Sequence, residues 1–251
     1  MSTGEWGIYI VLYFWLAGVG GGAFLLALAT ESERLKRVGA WLAFLGVVVG
    51  ALLLIVDLGH PERFWHLLVS YRPVSVMWLG SLFLFLDGIA LFLLLLLRSW
   101  PRLLVWAAAV LTLLVIAYTG VLLMATTRPF WAASPLVPWI FLASAFATGA
   151  AILTFFGARF DRVLIIFGLL EALFVLLHLV WTYPVAKTAV AALLSGELAW
   201  AFWGFVLLGW LLPLVLEAGR RAPALAALLV LLGGFLLRYF VVYAGQIGYL
   251  I

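Results

Sequence analysis

The 251-residue chain has no cysteine and no asparagine, a single glutamine (Gln246), and three histidines, His60, His66 and His178. Without cysteine it offers no thiolate for an iron–sulfur cluster or a structural zinc, and it forms no disulfide. Two bis-histidine haems would need four histidines. A single haem on a His60–His178 or His66–His178 pair is left open by the composition. Charge is also scarce, at 10% of residues where a soluble domain carries about 25%. Too little polar surface is available to coat a water-soluble particle. The net charge of +4 is better read through topology than as a signal for nucleic acid, which is not an expected partner.

Apolar residues make up 68% of the chain and the mean hydropathy is +1.29. Eight runs approach the ~20 residues that a spanning helix needs: Tyr9–Ala29, Gly39–Leu58, Val76–Leu97, Leu103–Ala125, Leu136–Phe156, Val163–Trp181, Trp200–Leu216 and Ala224–Ala244. Only helices or closed barrels satisfy their backbone in hydrocarbon, and these runs are too long and too uniformly apolar for barrel strands. The expected fold is therefore an all-α integral membrane protein, one polytopic domain over residues 1–251. No cleavable leader is evident ahead of the first run. A short interfacial helix is expected over Val185–Gly196.

The breaks between runs alternate in character. One set is short and basic and holds Arg34, Lys36, Arg37, Arg98, Arg102, Arg159, Arg162, Arg220 and Arg221; the longer set holds only Arg63, Arg72, Arg128 and Lys187. The positive-inside rule assigns the first set to the cytoplasm, so both termini and the long loops are expected on the outer side of the membrane.

Several residues carry chemistry. Asp57 and His60 lie three apart at the outer end of the second run, just before Pro61. An acid and an imidazole at the membrane boundary suit proton exchange with a bound carbonyl compound; a capped helix end with solvated charges is the alternative. Tyr13 and Tyr118 sit inside runs one and four, where a phenol can donate to a ligand oxygen. Tyr239, Tyr243 and Gln246 share a face at the end of the last run. Asp87, Glu171, His178 and Arg238 are ionisable groups well inside runs. Such groups should face the protein interior with partners, either as a proton path or as a structural pair of Arg238 with a carboxylate. Arg63, Trp65, Arg72, Arg128 and Trp131 form an expected basic, aromatic outer rim, either a docking face for a protein partner or a plain solvated rim with interfacial tryptophans. Gly18–Ala23 and Gly233–Gly234 read as close helix contacts.

In order along the sequence stand a glycine-rich first run ending Gly22-Ala-Phe-Leu-Leu, then Asp57-Leu-Gly-His-Pro-Glu-Arg-Phe-Trp65, Arg72-Pro-Val-Ser-Val-Met-Trp78, Tyr118-Thr-Gly, Arg128-Pro-Phe-Trp131, Phe141–Gly149, Leu237-Arg and Ala244-Gly-Gln246. This series resembles the NrfD and polysulfide reductase membrane-subunit family. The resemblance implies an eight-helix subunit of a molybdopterin or related complex, working with a four-cluster ferredoxin-like iron–sulfur subunit. It also implies no haem and no bound metal in this chain, and a menaquinone or ubiquinone site near the outer surface of a prokaryotic inner membrane, with the partner subunits on the periplasmic side. Asp57 and Tyr118 match the acid and the tyrosine associated with that site; Tyr13 stands where some relatives carry histidine. The expected function is electron exchange between quinol or quinone and the iron–sulfur partner, with terminal chemistry of the polysulfide or thiosulfate type in another subunit. In this reading Asp57, His60, Tyr118 and Tyr13 bind the quinone and exchange its protons, Asp87, Glu171, His178 and Arg238 assist proton movement, and Arg63, Trp65, Arg72 and Arg128 dock the partner. A secondary transporter built around the buried charges, or a passive anchor without quinone chemistry, are the competing classes.

Overall fold

A computed structural model describes residues 6–57, 66, 75–218 and 222–247. Eight helices long and apolar enough to cross a membrane are present, and no strand occurs among the described residues. The spans are α1 (Ile8–Leu28), α2 (Glu33–Asp57), α3 (Val76–Leu96) and α4 (Arg102–Met124), then α6 (Val137–Thr154), α7 (Asp161–Thr182), α9 and α10 (Pro223–Ala244). Two short helices lie between them, α5 (Pro129–Ala132) and α8 (Lys187–Leu194), the latter within the stretch read as interfacial from sequence. Span α9 joins Ala199–Gly204, a π-helical stretch Phe205–Leu211 and Leu212–Ala218 without a break. At 1.5 Å per residue, the 21 residues of α1 reach about 30 Å, the thickness of a bilayer's hydrocarbon core.

Glycine sets the helix spacing. Helix α1 runs antiparallel to α2 along a seam in which glycines of each face the backbone of the other. A Cβ at Gly20 would come within 2.5 Å of the Leu42 carbonyl oxygen, one at Gly39 within 2.9 Å of Phe24 Cα, and one at Gly46 within 2.7 Å of the Leu16 carbonyl oxygen. Gly22 of α1 meets Gly149 and Ala145 of α6 in the same way, and Gly209 meets Gly233 where α9 crosses α10. Hydrocarbon gives helices no hydrophobic reason to associate, so close backbone approach and interhelical hydrogen bonds must hold the bundle. Indoles supply several of those bonds. Trp15 Nε1 donates to Leu231 O at 3.1 Å, Trp131 Nε1 to Val241 O at 2.7 Å and Trp210 Nε1 to Gly168 O at 2.7 Å.

Gln246 closes the bundle at one end. Its amide oxygen accepts from Trp6 N at 2.8 Å and its Nε2 donates to Trp6 O at 2.9 Å. The two ends of the described chain therefore share one face of the membrane, the face with the long loops.

Candidate functional site

The first half of the bundle gathers two phenols and an acid. Asp87 of α3 is fully buried, and its Oδ1 accepts from Thr112 Oγ1 of α4 at 2.8 Å. Its Oδ2 has no hydrogen-bond partner. Tyr13 of α1 is also buried and interacts electrostatically with both Tyr118 and Asp87. Each phenol ring occupies a place that a glycine leaves free. A Cβ at Gly50 would lie 2.6 Å from the Tyr13 ring, and a Cβ at Gly80 would collide with the Tyr118 ring. Thr112, which ties Asp87 in place, was not singled out in the sequence. Its one legible signal is a hydroxyl six residues before Tyr118 in the same span.

An apolar cleft lies between α2 and α3; Tyr13, Tyr118 and Asp87 are not among its lining residues. Its volume is about 450 Å³, and its walls include Val47, Ala51 and Leu54 of α2 and Ser81, Leu84 and Gly88 of α3. Those wall residues flank Gly50, Gly80 and Asp87, the contact points of the polar cluster. The outer rim is formed by Leu52, Phe85 and Ile89, whose exposed surfaces would lie in lipid. A cleft of this size and polarity suits a flat, largely apolar ligand with a few polar atoms at one end.

Asp57 is half-buried at the end of α2. Its Oδ1 faces the entry to α1, 3.6 Å from where a Gly7 Cβ would stand. Gly50 and Asp57 are seven residues apart, so Asp57 shares the α1-facing side of α2 and lies about 10 Å farther along the axis from Tyr13. His60, Arg63, Trp65 and Arg72 lie outside the described residues. Arg128 is described: its guanidinium carbon sits 5.1 Å from the Trp131 ring centroid. Trp131 itself corrects the sequence expectation. It is not a rim residue but is fully buried against Gly245, because its N–H finds the Val241 carbonyl on α10. Gln246 is likewise engaged by the Trp6 backbone, and the rings of Tyr239 and Tyr243 pack on each other with centroids 4.4 Å apart.

The other three intramembrane ionisable residues lie on α7 and α10, and Arg238 reaches α1. Arg238 of α10 is buried; its Nε donates to Phe14 O at 2.9 Å and its Nη1 to Ser144 Oγ at 2.8 Å and Gly234 O at 2.9 Å. The guanidinium lies 5.5 Å from the Phe141 ring centroid and uses the space that Gly18 leaves open. Glu171 of α7, also buried, interacts electrostatically with Arg238 and lies beside Ser144; its Oε1 lacks a hydrogen-bond partner. Ser144 and the Phe14 carbonyl were not readable as partners from sequence, since they come from α6 and α1. His178 stands two turns beyond Glu171 on the same buried stripe. Both its ring nitrogens are without a hydrogen-bond partner, and its ring meets Phe130 edge-on at 4.9 Å. No group of three or more potential metal ligands occurs among the described residues.

Comparison with known proteins spans the full sequence. A family model, NrfD_2 (polysulfide reductase), matches residues 2–251. A polysulfide reductase chain from Wolinella succinogenes is 33% identical over 302 aligned positions, spanning 98% of this protein and 95% of the relative. Protein NrfD of Escherichia coli is 29% identical across 96% of this protein and 95% of its own length. A selenate reductase subunit from Mesobacillus selenatarsenatis is 38% identical over a stretch of 82 residues, 30% of this protein. A full-length family match, a relative above the identity at which ancestry is secure, and an eight-span helical bundle agree: the chain belongs to the NrfD/polysulfide reductase family of multi-pass membrane proteins.

Proposed function

We propose that this protein is the quinone-reactive membrane subunit of a multi-subunit oxidoreductase of the molybdopterin and iron–sulfur type. It exchanges electrons between a membrane menaquinone or ubiquinone and an iron–sulfur partner subunit of the four-cluster ferredoxin kind. The reading that it serves a reductase is supported by the relatives named as parts of a polysulfide reductase and a selenate reductase. The observations that support the quinone reading are two buried phenols and an orphaned carboxylate oxygen on α1, α3 and α4, and a lipid-open apolar cleft of about 450 Å³ whose walls include Ala51, Ser81 and Gly88, the sequence neighbours of Gly50, Gly80 and Asp87.

A quinol bound there supplies two electrons and two protons. Tyr13 and Tyr118 hold its headgroup by hydrogen bonds from their hydroxyls. Asp87, steadied by Thr112, accepts a proton on its free Oδ2. The α2–α3 cleft takes the isoprenoid tail without costing the bundle a polar contact. The second proton leaves to water by way of Asp57 and His60 at the outer end of the second span, and the proton on Asp87 follows it. In this reading the long-loop face is periplasmic in a prokaryotic inner membrane. Arg128, with Arg63, Trp65 and Arg72, docks the iron–sulfur subunit there, near enough to the headgroup for direct electron transfer. The terminal reduction, of the polysulfide or thiosulfate type, takes place in another subunit.

The test is quinol oxidation by the complex purified with its partners. Asp57→Asn should abolish turnover, and Tyr118→Phe, which removes one hydrogen bond worth ~1–1.5 kcal/mol, should lower kcat/KM about tenfold. Co-purification of the partner subunits should be unchanged in both variants. Turnover at the wild-type level in Asp57→Asn would remove that residue from the site, and wild-type kinetics in both would reject the assignment.

A further inference from the structure

Glu171 lies ten residues, about 15 Å, from the start of α7 at Asp161, which puts its carboxyl near mid-membrane. The buried stripe of α7 leads from it toward the basic-loop face through Gly168 and Leu164. At Gly168 the packing is open: a Cβ there would meet nothing within 4 Å. Leu164, Gly168, Gly209, Trp210 and Pro213 line a pocket of about 10 Å³ at this point, close to the least space that holds one water. The pocket borders on the π-helical stretch of α9, which ends two residues before Pro213. A proline has no N–H, so neither an α-type bond to Gly209 O nor a π-type bond to Leu208 O can end on residue 213.

We infer that Glu171 is a proton-exchange site in its own right, reached from the basic-loop face by water passing between α7 and the π-helical stretch of α9. A hydronium ion gives its proton to the Glu171 carboxylate and departs as water; no electrons move. Oε1, the oxygen without a partner, is the atom free to take the proton. The groups facing this carboxyl are Arg238 from α10 and Ser144 from α6. The Trp210 indole of α9 lies one turn toward the basic-loop end, and His178 lies two turns the other way. Arg238 supplies the countercharge when the carboxyl is ionised. Its grip on the Phe14 carbonyl, next to Tyr13, links this site to the phenol cluster. The inference does not require the quinone reading, because water access and proton uptake are measurable without turnover.

The absence of native cysteine allows a direct test. Gly168→Cys introduces the one thiol at an open position, and Leu169→Cys supplies a control on the exposed side of α7. Silver ions, small enough to follow a water file, are added at either face of sealed vesicles holding the full-length protein. Unreacted thiol is then counted by maleimide labelling after denaturation. A thiol reacts as thiolate and needs water, so Gly168→Cys should be blocked about tenfold faster from the basic-loop face than from the opposite face, and faster than Leu169→Cys. Equal rates for the two thiols, or faster block from the long-loop face, would overturn the passage. Infrared difference spectra across a pH titration should contain a buried carboxylic-acid carbonyl band that Glu171→Gln removes. Survival of every such band in Glu171→Gln would overturn the proton site. In the complex, loss of quinol oxidation in Tyr118→Phe with the infrared band intact reports on the phenol site alone.

Discussion

Arg238→Met puts the interior of the bundle to the most direct test. The guanidinium makes two bonds to other helices, to Phe14 O on α1 and Ser144 Oγ on α6, and one to Gly234 O of its own helix. Interhelical hydrogen bonds in bilayers average about 0.6 kcal/mol and reach about 1.7, so the two together are worth ~1–3 kcal/mol. The larger effect is on Glu171, which loses its countercharge while buried. Breaking a buried charge pair by removing one partner costs about 3–5 kcal/mol, much of it the penalty on the charge left behind. Arg238→Met should thus destabilise by several kcal/mol, whereas Glu171→Gln costs less, because Arg238 keeps its three acceptors. In the double variant no stranded carboxylate remains. It should recover about 2 kcal/mol relative to the sum of the single changes. The assay is unfolding in mixed micelles by increasing denaturing detergent, followed by tryptophan fluorescence. Additivity of the single variants to within about 0.5 kcal/mol would refute the claim that Arg238 and Glu171 act as a pair.

Three further outcomes follow from particular contacts. Gly22→Leu drives a side chain into the α6 backbone at Ala145 and Gly149; it should abolish the folded bundle as judged by size exclusion, while Gly168→Ala, at an open position, should leave the elution profile unchanged. Trp131→Phe keeps the buried ring but loses the 2.7 Å bond to Val241 O. It should cost ~1–3 kcal/mol, since the buried carbonyl loses a donor, measured in the same detergent titration. Asp87→Asn leaves Thr112 an oxygen to donate to but removes the proton acceptor, so quinol oxidation should fall by at least about tenfold with the fold retained.

The sequence by itself determined the number of spans, their limits to within a few residues at most ends, and the placing of loops on alternate faces. Lipid as solvent forces every crossing segment to be helical and about 20 residues long, so composition alone reports it. The sequence also marked Asp87, Glu171, His178 and Arg238 as interior groups, because charge in hydrocarbon is costly; all four are buried. What it did not disclose is which side of each span faces protein. The spans are apolar all round, so no periodicity separates the lipid face from the packed face. The partners were therefore set by tertiary structure. Asp87 met Thr112 from the next span, and Arg238 met a carbonyl of the first helix. Trp131 turned inward for the same reason: in a bundle held by close contacts, an indole gains more from a helix carbonyl than from the interface.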